Sequence, residues 1–244
     1  MRIEVLYPEI CNLYGELGNI RCLKESLPDA EIIETHIKDK PVFLDEEVNL
    51  VYMGTMTERG QVMVIDALNP YKDVIKERIH EGMPFLVTGN AFEVFGKEII
   101  EDNVKVADGL GLFDFVSRRS SIQRVNHLYV GDFRVSEEET IKVAGFKSLF
   151  GYAYGPAFEC KLFDTVLGYG ANEEIKEEGI RCHNFMATYL TGPLLILNPP
   201  FTKWLMNELM GAKDAVPAHY DAAMDAYNYR IEEYLRPGKG WKYH

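Results

Sequence analysis

The stretch PFLVTGNAFEVFG, Pro84–Gly96, reads as a buried strand that turns sharply into a helix. Phe85, Leu86 and Val87 form a short apolar run, Gly89-Asn90 supplies the turn, and Phe92 and Phe95 recur at helical spacing. In many α/β enzymes such a corner carries a serine or cysteine, because the tight turn exposes one side chain beside the first free N–H groups of the helix. Here the corner is glycine.

The flanking sequence extends the pattern. RIEVLY, AEIIETH and NLVYMG read as strands, with GELGNIRCLKESL a helix between the first two, and a helical stretch from about Gln61 to His80 is broken at Asn69-Pro70. This alternation predicts a mainly parallel sheet covered by helices on both faces, with functional loops at the carboxyl ends of its strands. Those loops are YPEICNLYGELGN, GTMTERGQ and TGNAF. From about Asp102 the texture changes to short, glycine-punctuated segments rich in β-branched and aromatic residues, such as NHLYVGDFRV and TIKVAGF, which predict hairpins and antiparallel edge strands. NFMATYLTGPLLILNPP predicts a last strand and a Gly-Pro turn. FTKWLMNELM and AHYDAAMDAYNYRIEEYL read as closing helices, the second packed against the sheet. No repeat or low-complexity segment divides the chain, so residues 1–244 read as one domain.

Composition narrows the function classes. With 26 basic against 38 acidic residues the formal charge is −12, which works against nucleic acid as a partner. No charged-then-apolar leader opens the chain and no run of 18 apolar residues occurs, so no membrane association is expected and a cytoplasmic location is. Cys11, Cys22, Cys160 and Cys182 lack zinc-site spacing and disulfide density, and read as reduced, mostly buried thiols. Nothing here calls for a metal or a cofactor.

Six segments in order, LYPEICNLYGELGNI, MGTMTERGQ, GMPFLVTGNAFEVFGKEI, GLGLFDF, GYGANEEIKEEGI and ATYLTGPLLILNP, resemble the class I glutamine amidotransferases of the cobyric acid synthase (CobB/CobQ) type, and among these the GatD-type glutaminase subunits of lipid II isoglutaminyl synthase. The resemblance runs almost end to end. It implies a three-layer, flavodoxin-like α/β sandwich, a glutaminase half-reaction, and a Mur-ligase-like (MurT-like) partner subunit that uses the released ammonia. Hydrolysis of glutamine's side-chain amide requires a thiolate on the elbow, a histidine to activate it, and N–H donors for the tetrahedral oxyanion.

The matching positions depart from that chemistry. Where the family carries Cys-Gly-Gly-Tyr-Gln, this chain has Gly89, Asn90, Ala91, Phe92 and Glu93, so the cysteine position is Gly89. Where the family has histidine before Gly-Pro, this chain has Thr191, which cannot serve as a base near neutral pH. The glycine-rich oxyanion loop falls on Gly54-Thr55-Met56, and a segment resembling GFENHGG reads GFKSLFG, Gly145–Gly151, without its histidine. No cysteine or serine occurs between Pro84 and Gly96 to replace the nucleophile. The sequence therefore predicts a degenerate dyad, and a structure in which Gly89 and Thr191 face each other.

Other chemically able residues have plainer readings. Cys182-His183 are neighbours that point to opposite faces of a strand. Cys160 reads as a half-buried structural thiol, and His127, near a substrate-binding arginine of the family, as a surface histidine. Arg118-Arg119 and Glu173–Glu178 read as solvated charge.

The sequence thus leads to a degenerate amidotransferase-like protein, a non-catalytic or regulatory subunit of a Mur-ligase-like amidating enzyme in cell-wall or cofactor biosynthesis. Two other readings compete: a hydrolase or transferase with chemistry rebuilt in the same crevice, and a sensor of a small amino acid or anion. Gly54, Thr55, Met56, Arg59, Asn90, Ala91 and Glu93 are the expected binding residues, and Thr57, Glu58 and Thr191 further crevice residues. An anion is expected near the backbone of Asn90 and Ala91, unless Met56, Phe92 and Phe95 collapse into the space.

Overall fold

A computed structural model describes residues 1–236 and the backbone of Lys242–Tyr243. The strands, in chain order, are β1 (Arg2–Leu6), β2 (Glu31–Thr35), β3 (Leu50–Met53), β4 (Phe85–Thr88), β5 (Glu98–Glu101), β6 (Val104–Asp108), β7 (Val116–Arg119), β8 (Val125–Arg134), β9 (Thr140–Leu149), β10 (Gly151–Tyr154), β11 (Phe163–Leu167), β12 (Glu177–Glu178), β13 (Ile180–Cys182) and β14 (Phe185–Thr188). The helices are α1 (Gly18–Ser26), α2 (Glu58–Leu68), α3 (Lys72–His80), α4 (Leu194–Leu197), α5 (Pro199–Trp204) and α6 (Tyr220–Leu235). Among the described residues no helix is long and apolar enough to cross a membrane.

The central sheet has the order β13-β14-β4-β3-β1-β2. Its strands β2, β1, β3, β4 and β14 are parallel and β13 is an antiparallel edge. This is the doubly wound α/β arrangement that the alternating first half predicts. Side-chain alternation sorts each central strand between two cores. Val51 and Met53 of β3, Phe85 and Val87 of β4, and Phe185 and Ala187 of β14 belong to one cluster. Leu50 and Tyr52, Leu86, and Met186 belong to the other. A strand buried on both faces has no polar side to display, which is why these segments read as unbroken apolar runs.

The second half supplies the antiparallel additions. Strands β10-β7-β5-β6 form one small sheet, and β12-β11-β8 with β9 form another that includes the ten-residue β8–β9 pairing. Two helical segments differ from their expected form. The turn after β4 continues as a 3₁₀ helix, Gly89–Phe95, and Leu205–Leu209 is π-helical, continuing α5. α6 packs on α5, β8 and β9, but only Tyr227 is buried along it and Tyr229 is 66% exposed. One face of that helix is therefore solvated.

Several side chains also differ from their sequence reading. Cys160 is exposed rather than half-buried, and His127 is buried between strands rather than on the surface. Glu178 is not solvated: it is fully buried against Lys147, an ion pair in which both side chains are excluded from water. Lys147 also donates to the carbonyls of Tyr169 (3.1 Å) and Gly170 (2.6 Å). Glu178 Oε1 accepts from Thr188 Oγ1 and from the Tyr189 N–H, each at 2.8 Å. The pair thus ties β9 and β12 to the end of β14. Burial pulls the Lys147 pKa down, and the Glu178 charge opposes that pull.

Removing one member leaves the other charge stranded in the interior. Lys147→Met or Glu178→Gln alone is expected to lower unfolding free energy by about 3–5 kcal/mol. The double replacement should lose less than the sum of the two, because neither charge is then orphaned. Urea unfolding of the three variants measures both quantities, and additive losses would show that the ions do not depend on each other.

Candidate functional site

At the carboxyl end of β4 the chain passes through Gly89 at φ +63°, a left-handed conformation that glycine adopts without strain. A Cβ placed on Gly89 would lie 2.4 Å from Thr55 Cβ, 2.6 Å from Thr55 Oγ1 and 3.2 Å from Thr191 Cγ2. Gly89 and Thr191 therefore face each other, as the sequence predicts, with Thr55 wedged beside them. Three loops at the carboxyl ends of β3, β4 and β14 converge here.

The polar groups of this corner satisfy one another. Thr55 Oγ1 donates to Asn90 Oδ1 (2.7 Å), and the Met56 N–H donates to the same oxygen (2.9 Å). Asn90 Nδ2 donates to the Met56 carbonyl (2.8 Å), while the Asn90 N–H donates to Thr55 Oγ1 (3.3 Å). Asn90 thus folds back onto the loop after β3 and consumes donors that an oxyanion or a bound anion would need. The backbone N–H of Asn90, beside which an anion is expected, is thus already taken by Thr55 Oγ1. Thr191 is spent in the same way: its hydroxyl donates to the Phe146 carbonyl at 3.0 Å, beside a backbone bridge between the same two residues.

Behind the corner lies a buried polar network that joins the expected residues Asn90 and Glu93 to Gln61 and Tyr189, which sequence reading missed. Gln61 Nε2 donates to the Asn90 carbonyl (2.7 Å) and to Glu93 Oε2 (2.8 Å), and Tyr189 OH donates to Glu93 Oε1 (3.0 Å). Arg119 Nη1 donates to Gln61 Oε1 at 2.7 Å and Arg119 Nε to Glu101 Oε2 at 2.9 Å. Its side chain is only 7% exposed, which corrects the reading of Arg119 as solvated charge, whereas Arg118 is exposed as expected. Burial pushes the Glu93 carboxyl pKa up, opposed by the Gln61 hydrogen bond and the Arg119 charge.

A second buried carboxylate anchors the corner from below. Glu16, in the loop before α1, accepts from Thr88 Oγ1, from Tyr52 OH (3.3 Å) and from the Gly192 N–H (3.2 Å). Asn19 Nδ2 completes the cluster with a 2.8 Å hydrogen bond to Tyr52 OH. Gly54 leaves room for it: a Cβ there would stand 2.8 Å from the Cys11 carbonyl and 3.0 Å from Glu16 Cβ. Burial raises the Glu16 pKa, and the three donors pull against that rise. The only sequence signal for Glu16 was its place in a loop at the carboxyl end of β1.

What remains open beside the plugged corner is a cavity of about 160 Å³. Of the expected binding residues, Thr55, Met56, Asn90 and Glu93 line it, with Thr57 and Glu58 from the wider crevice. Gly54 and Ala91 are buried behind the wall, and Arg59 is exposed on the first turn of α2 outside it. The cations on the cavity wall are instead Arg119 and Arg124, the latter donating to Tyr14 OH at 2.7 Å and lying 4.4 Å from the centre of the Phe150 ring. No cysteine lines the cavity. Cys11 is buried, and Cys182 sits on β13 at the far edge strand with its thiol pKa raised by burial.

The chain is similar to several known proteins. Two relatives are each named lipid II isoglutaminyl synthase (glutamine-hydrolyzing) subunit GatD. The one from Staphylococcus aureus (strain N315) is 29% identical over 199 residues, covering 81% of this chain and 79% of the relative. The one from Streptococcus pneumoniae (strain ATCC BAA-255 / R6) is 26% identical over 239 residues, covering 96% and 89%. In structure, the chain is similar to a glutamine amidotransferase from Thermotoga maritima (TM-score 0.53, 12% identity, 94% of this chain and 92% of that one). It is also similar to the glutaminase domain of Trypanosoma brucei CTPS (TM-score 0.51, 12% identity, 94% of each). At such identities these likenesses establish the fold alone. The CobB/CobQ-like glutamine amidotransferase domain matches residues 2–198, most of the chain, and this protein belongs to that family.

Proposed function

We propose that this chain is a GatD-type subunit that does not hydrolyse glutamine, and that it serves a Mur-ligase-like, ATP-dependent enzyme amidating a cell-wall or cofactor precursor as a non-catalytic or regulatory partner. The observation that carries the proposal is steric. The elbow position is glycine, and the volume a nucleophile's Cβ would need lies within 2.4 Å of Thr55 Cβ. Neither Gly89 nor Thr191 offers a nucleophile or a base, and the neighbouring N–H donors are held by Thr55 and Asn90. The partner reading rests on the relatives, whose name makes GatD a subunit of lipid II isoglutaminyl synthase. A small-molecule sensor is supported less well, because about 160 Å³ falls below the roughly 300 Å³ at which ligand pockets usually begin. A rebuilt hydrolase or transferase is supported less well still, since the hydroxyls of Thr55 and Thr191 are both committed to protein acceptors.

Purified protein is expected to release no ammonia from glutamine above the buffer control, with or without the Mur-ligase-like protein encoded nearest to it. Loss of a nucleophile costs on the order of 10⁶ in rate in dissected triads, so even trace turnover would be informative. Ammonia release that disappears on mutating Cys160 or Cys182 would overturn the proposal. Co-elution of the two proteins on size exclusion tests the partnership, and separate elution would remove it.

Reinstalling the nucleophile alone should damage the fold. Gly89→Cys is expected to cost about 1–3 kcal/mol in urea unfolding, through overpacking against Thr55. Adding Thr55→Gly should recover part of that loss, although it exposes the Asn90 donors. An unchanged stability for Gly89→Cys would mean that the corner is looser than its distances imply.

A further inference from the structure

A separate concavity lies at the opposite end of the central sheet. Gly89 follows the carboxyl end of β4, whereas Asn184 precedes the amino end of β14, its parallel neighbour. The cleft beside Asn184 holds about 740 Å³, within the range usual for small-molecule sites. Its wall includes Arg181 from β13, Lys203 and Trp204 from α5, and Asn207 from the π-helical segment.

Arg181 is the unusual member. Its guanidinium lies over the rings of Phe133 (4.9 Å) and Trp204 (5.0 Å), and Nη1 donates to the Arg134 carbonyl at 3.1 Å. Among the described residues no carboxylate lies within 4.0 Å of it. Burial alone acts on its pKa, lowering it, with no acidic group opposing the shift. Lys203, 5.6 Å from the Tyr220 ring centre, likewise has no carboxylate within that distance among the described residues. Glu139 and Glu208 also border the cleft, yet neither closes an ion pair with these cations. Arg181 is half-buried and Lys203 exposed, so both can present charge to the cleft in a chain of formal charge −12.

The rest of the wall has a matching character. Val135, Ile141, Leu209 and the Trp204 ring give it an apolar side. Asn207, Glu208 and Leu209 on its wall belong to the π-helical Leu205–Leu209, a form that recurs at functional sites.

We propose that this cleft binds a small amphipathic organic anion, its carboxylate or phosphate meeting Arg181 and Lys203 and its apolar body lying along Val135, Ile141 and Leu209 beside Trp204. The planar guanidinium of Arg181 carries N–H groups beyond the one bonded to the Arg134 carbonyl, and such a fork suits a bidentate acid. The site is independent of the plugged elbow, and its failure would leave the subunit reading untouched.

The test is a titration of the full chain carrying Trp241→Phe, so that Trp204 is the sole fluorescent tryptophan. Benzoate and phenyl phosphate distinguish the two acid types, while inorganic phosphate and benzyl alcohol each supply half of the recognised chemistry. Saturable changes in Trp204 fluorescence are expected with benzoate, phenyl phosphate or both, together with a shift of the Arg181 Nε–Hε NMR signal. R181Q should weaken binding about tenfold or more, and K203Q about threefold. If R181Q does not fold, R181K and K203Q carry the comparison, and both must weaken binding. The proposal is overturned if neither aromatic anion saturates, if inorganic phosphate or benzyl alcohol binds as tightly, or if the folded variants bind unchanged.

Discussion

The carboxylate of Glu16 is the joint on which the carboxyl-end architecture depends. It reaches Thr88 at the end of β4, Tyr52 on β3 and the Gly192 N–H just beyond Thr191, so one buried acid fixes the mutual positions of three sheet strands' outlets. Taking a carboxylate out of water is unfavourable unless each lone pair finds a donor, and here hydroxyl and amide donors surround it. Because the donors come from residues far apart in sequence, the acid is stable only when β3, β4 and the loop after β14 are all in register. Gly89 and Thr191 are therefore held in facing positions by the Glu16 cluster, although neither carries a reactive group.

Against that frame, the plugging of the corner is a packing solution. A glycine at the elbow and a threonine opposite it would leave a void and several unpaired N–H groups. Thr55 occupies the space and Asn90 takes the donors, in the reciprocal hydrogen bonds among Thr55, Met56 and Asn90. Interiors avoid both empty volume and orphaned donors, and two side chains remove both here. Phe92 adds an apolar floor, stacked 4.6 Å from Phe115 and edge-on at 5.1 Å to Tyr189.

The central sheet was legible because strands buried on both faces leave continuous apolar runs, and NLVYMG and PFLVTG show them without any knowledge of neighbours. The convergence of Gly89 with Thr191 was legible through motif order, which carries three-dimensional information that local propensity lacks. Charge was read less well. Glu178 lies in an acidic run and Arg119 beside another arginine, so both resemble surface, yet their partners Lys147 and Gln61 are 31 and 58 positions away and no local pattern announces them. The same limit applies to Glu16, and to the π-helical turn at Leu205–Leu209, whose sequence differs little from an ordinary helix.

The side chain of Thr55 also sets the direction in which this lineage can change. A cysteine arriving at position 89 meets Thr55 first, so it carries a folding penalty before it brings any chemistry. Shrinking Thr55 first strips the Asn90 N–H and Oδ1 of a partner each, and so carries its own penalty. Neither order of steps passes through an intermediate as stable as the present chain. A side chain at position 89 is thus held out by mutual dependence between two residues, since replacing either one alone meets its own cost in stability.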